Sequence, residues 1–87
     1  MENEDPRAAI RAFILEEFLE GTDPDELTDD MQLMSGGVLN SLSTTRLVAF
    51  LEETYGIEVE AHEMGADYLD SVDQMVSLVK EKLTAKN

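Results

Sequence analysis

At 87 residues the chain has room for one modest hydrophobic core, which excludes a second domain and an enzyme cleft with walls of its own. Hydrophobic residues make up 43% and aromatics 6%, with no Trp and no Cys; an aliphatic core of packed helices follows, and a disulfide framework, a thiolate metal site and a cysteine nucleophile are excluded. Twenty acidic residues against six basic ones give a formal net charge of -14, a field that repels nucleic-acid phosphates and anionic lipid and steers basic protein surfaces into encounter.

Basic residues are also unevenly placed, with none between Arg11 and Arg46 and none between Arg46 and Lys80. The acidic start Met1-Glu2-Asn3-Glu4-Asp5-Pro6 lacks the basic and apolar regions of a signal peptide, and no apolar run is long enough to span a bilayer, so a cytoplasmic location is the default expectation. The plain alternative is that acidity serves solubility alone.

Asp5-Pro6 starts a first helix, with Asp as cap and Pro where its missing N–H costs nothing. Ile10, Phe13, Ile14 and Phe18 recur at helical spacing, so an amphipathic helix over about 6–20 is expected, ended by Gly21 and the turn Thr22-Asp23-Pro24-Asp25. From Leu27 to Leu39 runs a long connection punctuated by Leu27, Met31, Leu33, Met34, Val38 and Leu39. A solvated linker needs no such residues, which predicts a loop strapped over the helices. Asp23, Asp25, Asp29 and Asp30 raise the question of a calcium loop, but Thr28 and Met34 stand where its glycine and bidentate glutamate belong.

Next comes Gly36-Gly37-Val38-Leu39-Asn40-Ser41-Leu42, in which the glycines are expected to loosen the backbone and Val38 and Leu39 to anchor it. Asn40 is a strong helix N-cap, which places Ser41, exposed, in the first turn of a second helix over about 41–55. Leu47, Phe50, Leu51 and Thr54 line its core face, Tyr55-Gly56 closes it, and Ala49 is left to face a partner.

Ile57-Glu58-Val59-Glu60 alternates like a strand, but with no second alternating segment it reads as an extended loop pinned by Ile57 and Val59. A short third helix over about 61–68, broken by Gly65, precedes a last helix over about 72–83. His62, without a metal-ligand companion, reads as a surface or capping residue. Ser71 and Gln74 form a capping box, Val72, Met75, Val76, Val79 and Leu83 share one face, Lys80, Lys82 and Lys86 suit the helix's negative end, and Thr84 to Asn87 is expected to fray. The fold class is therefore all-α: a small four-helix bundle of one domain, 1–87, with three longer helices, a short third one and a long loop after the first.

With these elements in place, the chain resembles the acyl and peptidyl carrier proteins, whose modified serine lies in a Gly-x-Asp-Ser-Leu motif or a close variant. Here the segment reads Leu39-Asn40-Ser41-Leu42, and the resemblance extends from the first helix through Gly56-Ile57-Glu58-Val59 to the two C-terminal helices. It implies that Ser41 carries a covalent 4'-phosphopantetheine arm from coenzyme A, flanked by Asn40 and Leu42, and that the arm's thiol holds acyl or aminoacyl cargo as a thioester. It also implies a monomer that works with a phosphopantetheinyl transferase, a loading enzyme and a downstream synthase or transferase, and that is not itself an enzyme. The lone His and the lack of a Gly-x-Ser-x-Gly elbow agree with that.

Two departures from the fatty-acid-type pattern stand out. Asn40 replaces the usual aspartate, and Ser43 and Arg46 occupy positions that are often acidic on the recognition helix. They point to a specialised free-standing carrier of polyketide, nonribosomal peptide or aminoacyl metabolism. The residues expected to meet partners are Arg46, Ala49, Glu52, Glu53 and Glu63, with Glu58 and Glu60 beside them and no local basic residue. The competing reading is an unmodified acidic helical interaction module, in which Ser41 only starts a helix.

Overall fold

A computed structural model describes residues 6–86, apart from the side chain of Lys86. The acidic N-terminus and the expected cap at Asp5 lie outside the described residues, as does Asn87. Four α-helices are present among the described residues: α1 (Pro6–Glu17), α2 (Ser41–Tyr55), α3 (Ala66–Leu69) and α4 (Val72–Lys86). Single 3-10 turns lie at Pro24–Glu26 and Ala61–Glu63, and no strand is found among the described residues. The bundle of three longer helices and one short one is the expected architecture.

α1 packs most extensively on α4, and α2 lies against both. Their shared core is aliphatic: Ile10 and Ile14 of α1, Leu47, Val48 and Leu51 of α2, and Val72, Met75, Val76, Leu78 and Val79 of α4 are all buried. Phe13 stacks on Phe50 at 4.2 Å and meets Phe18 edge-on at 5.6 Å, closing the end of the α1–α2 seam.

The long connection is a strap, as its apolar punctuation predicts: Leu27, Leu33 and Leu39 are buried, while Met31, Met34 and Val38 pack half-buried against the core. Arginines of α1 fasten its beginning. Arg7 Nη1 donates to Asp29 (2.9 Å) and Asp73 (2.6 Å), and Arg11 donates to Asp29 (2.9 Å), to the Pro24 carbonyl (2.9 Å) and to the Leu27 carbonyl. The two glycines do not loosen the strap. A Cβ on Gly36 would stand 2.3 Å from the Gln32 carbonyl oxygen, and Gly37 has φ +90°, so the segment is a tight turn that only glycine fits.

Several boundaries depart from the periodicity. α1 ends at Glu17, not near residue 20, because the Ile14 carbonyl accepts both the Phe18 N–H (2.9 Å) and the Leu19 N–H (3.1 Å), and the widened last turn leaves the α ladder before Gly21. The short third element is broken at Gly65, as expected: extended backbone there separates the turn Ala61–Glu63 from the single helical turn α3, which reaches Leu69, one residue past the expected end. α4 continues to Lys86 through the tail expected to fray, since Thr84, Ala85 and Lys86 include no helix breaker. On α2, Thr54 is exposed and Thr44 is buried in its place. The core stripe therefore starts one turn earlier.

Candidate functional site: a serine at the head of α2

The site is built by the approach to α2. Leu39 is buried and donates its N–H to the Leu33 carbonyl (2.9 Å), which fixes the chain one residue before the helix cap. Asn40 is extended (φ -100°, ψ -171°), and its Oδ1 accepts the Ser43 N–H at 2.8 Å. Its carbonyl accepts the Thr44 N–H at 2.8 Å, which begins the helical ladder. Ser41 is thereby the first residue of α2 and is exposed, as expected. Its carbonyl accepts the Thr45 hydroxyl (3.0 Å), while no described residue hydrogen-bonds its own hydroxyl.

Ser41 opens onto a shallow groove lined by Met34, Leu39, Asn40, Thr44, Thr45 and Met64. No carboxylate, imidazole or amine lines it, so none of the groove's own side chains is placed to take the Ser41 proton. Thr44 is 6% exposed, and its Oγ1 has no hydrogen-bond partner among the described residues. A buried orphan hydroxyl is costly unless something else satisfies it. Leu42, flanking Ser41, is 71% exposed, and Met64 across the groove is 37% exposed. Ser41 thus has an unsatisfied polar atom one helical turn away and large apolar side chains on either side.

The residues expected to meet partners divide into two groups. Ala49 and Glu53 are exposed on α2. Arg46 is exposed but not a free charge: it pairs with Glu17 of α1 and lies over the Phe18 ring at 5.8 Å. Glu52 is half-buried and accepts the Val59 N–H (2.9 Å), which pins the loop after α2. Glu63 is 8% exposed, because Lys82 of α4 reaches its Oε1 at 2.6 Å and the Glu60 N–H donates to the same oxygen at 2.9 Å. The expectation of a surface acid free of basic neighbours is corrected at Glu63, a position set by a lysine distant in sequence. His62 is exposed and stands edge-on to Tyr68 at 6.2 Å.

Residues 12–79 match the family model described as "Phosphopantetheine attachment site". The chain belongs to the phosphopantetheine-binding carrier proteins. Curated relatives include proteins named D-alanyl carrier protein from Streptococcus pyogenes serotype M5 (strain Manfredo), serotype M49 (strain NZ131) and serotype M1. Each is 39% identical over 59 residues, covering 68% of this chain and 73% of the relative. The cofactor of this carrier is covalently attached 4'-phosphopantetheine, and the family is non-catalytic, working through a modifying transferase and loading enzymes. The residues present fit such a group. An unbonded primary hydroxyl stands at a capped helix N-terminus, whose first-turn N–H groups suit a phosphodiester, beside an unsatisfied Thr44 hydroxyl. No helix among the described residues is long and apolar enough to cross a membrane.

Sequence reasoning missed two polar residues that shape the Ser41 groove or its wall. Thr44 carried a signal, since it stands three residues before Leu47 on the same face. Asp70 carried none. Its carboxylate accepts the N–H groups of Met34 (2.8 Å) and Ser35 (2.9 Å) and the Ser35 hydroxyl (2.9 Å), 36 and 35 residues away in the chain.

Proposed function

We propose that Ser41 is the attachment residue and that the chain shuttles acyl or aminoacyl cargo between enzymes. The observation that carries this reading is the exposed, unbonded Ser41 hydroxyl at the Asn40-capped start of α2, within the segment that matches the family. A phosphopantetheinyl transferase supplies the base and magnesium that the groove lacks. The Ser41 oxygen forms a bond to the β-phosphorus of coenzyme A, the bond to adenosine 3',5'-bisphosphate breaks, and the serine proton leaves to the transferase. When bound, the arm supplies a terminal thiol, which this Cys-free chain does not have. Asn40 holds the helix start rigid, and Leu42 and Met64 give the visiting enzyme apolar contact beside the serine.

For the cargo, the relatives named D-alanyl carrier protein favour an amino acid. Polyketide and nonribosomal peptide metabolism remain the second reading, motivated by Asn40 and Arg46 standing where fatty-acid-type carriers are acidic. Incubation with coenzyme A, magnesium and a promiscuous transferase tests the site, read by intact mass. Wild type gains one phosphopantetheine and Ser41→Ala gains none while keeping its helical circular dichroism. An unmodified wild type would instead support the acidic interaction module.

A further inference from the structure

Asp70 lies between α3 and α4, and four hydrogen bonds join it to one short piece of the strap. Its carboxylate holds the Met34 and Ser35 N–H groups and the Ser35 hydroxyl, and its carbonyl accepts the Leu33 N–H at 2.6 Å. Asp70 is itself held, since its own N–H donates to Gln74 Oε1 at 2.9 Å in the first turn of α4. The segment it grips leads to the site by two routes. Met34 lines the groove that contains Ser41, and the Leu33 carbonyl accepts the Leu39 N–H immediately before the Asn40 cap.

We propose that Asp70 is a positioning residue for modification and loading at Ser41: its carboxylate fixes Met34 as the strap-side wall of the Ser41 groove. This rests on the reading of Ser41 as the attachment residue. Two backbone N–H bonds to one carboxylate oxygen, with the Ser35 hydroxyl on the other, leave Met34–Ser35 little freedom. The Asp70 carboxyl is held below its ordinary range, first by the Ser35 N–H and then by the Ser35 hydroxyl and the Met34 N–H, working against burial. Without that acceptor, the two N–H groups turn to water and Met34 leaves the groove.

The test is the kinetics of Ser41 phosphopantetheinylation by a fixed transferase for wild type, Asp70→Ala, Asp70→Asn, Met34→Ala and the Asp70→Ala/Met34→Ala double variant. Amide NMR of Met34 and Ser35 and circular dichroism are recorded in parallel. Asp70→Ala raises the KM for the carrier roughly tenfold, with kcat little changed, because misplacing a recognised wall weakens encounter geometry and not the chemistry at Ser41. Asp70→Asn, which keeps one oxygen of the same shape for both N–H groups, restores most of the loss even where Asp70→Ala is poorly folded. If Asp70 acts through Met34, the double variant is no worse than the worse single variant. Additive effects in the double variant, or loading of a folded Asp70→Ala at the wild-type KM, overturn the proposal and leave the Ser41 reading intact. A wild type that accepts no group overturns both.

Discussion

Lys82 Nζ and Glu63 Oε1 stand 2.6 Å apart, which ties the 3-10 turn before α3 to the C-terminal half of α4. Lys82 is the first cause of the lowered Glu63 pKa, the Glu60 N–H the second, and both outweigh burial. In return Glu63 lifts the Lys82 pKa. The Glu63 share of stability is therefore fully present above 4.5 and lost as pH falls through its depressed folded value, and the Lys82 share is present below 10.5 and lost as pH rises through its elevated one. Lys82→Met leaves a buried carboxylate without its cation. The expected cost is about 2 kcal/mol, less than for a fully buried pair because Lys82 keeps 20% of its side-chain area in water. Urea melts across pH check it, and unchanged acid sensitivity in the variant would remove the pair as its source.

How legible each part was depended on whether its determinants are local. α2 was readable to the residue because both ends are set within a few positions: Asn40 caps Ser43, and Gly56 takes φ +66° with its N–H on the Glu52 carbonyl at 2.9 Å. The end of α1 was not, since its widened last turn comes from how Phe18 and Leu19 settle against the core, and no residue type signals that. Glu63 reads as a surface acid in sequence, and nothing in the sequence singles out Asp70. What buries or engages them is a lysine on α4 and a backbone turn on the strap, and contacts so distant in the chain leave no periodic trace.

The Arg46–Glu17 pair sets the charge on this exposed part of α2. Because the two neutralise one another, Arg46→Gln exposes the Glu17 carboxylate and speeds association with a basic enzyme, Glu17→Gln slows it, and the double change returns the rate toward wild type. Both side chains are well exposed, at 53% and 35%, so stability changes by no more than about 0.5 kcal/mol. Stopped-flow association at low salt resolves the three variants. Equal rates would show that partners do not read this part of α2.

Glu52 and Glu53 are neighbours in sequence with different expected phenotypes. Glu53→Lys lowers the association rate, and the loss shrinks as salt is raised, with the thermal midpoint unchanged. Glu52→Ala also costs stability, about 1 kcal/mol, because it releases the Val59 N–H and with it the loop that buries Ile57 and Val59. Association rates against ionic strength, beside thermal melts, separate the two. A Glu53→Lys protein that melts early would mean the residue is structural after all.

Asn40 separates the cap from the charge that usually accompanies it in fatty-acid-type carriers. Its Oδ1 bond to the Ser43 N–H is the interaction that starts α2 at Ser41, so Asn40→Ala costs about 1 kcal/mol and frays the turn that presents the serine. Loading falls with it. Asn40→Asp keeps the acceptor and adds a negative charge at the positive end of the helix, where it stabilises by ~0.3–1 kcal/mol. A partner that grips an aspartate here with an arginine gains a charge-assisted hydrogen bond, ~1.5–3 kcal/mol when well formed and less at an exposed position. Asn40→Asp should therefore load faster with fatty-acid-type transferases and synthases. With an enzyme adapted to the uncharged cap it should load no faster, or more slowly. Paired kinetics of wild type, Asn40→Ala and Asn40→Asp against both enzyme types, with melts in parallel, test this, and an Asn40→Ala protein that melts and loads like wild type would show that the cap does not set the site.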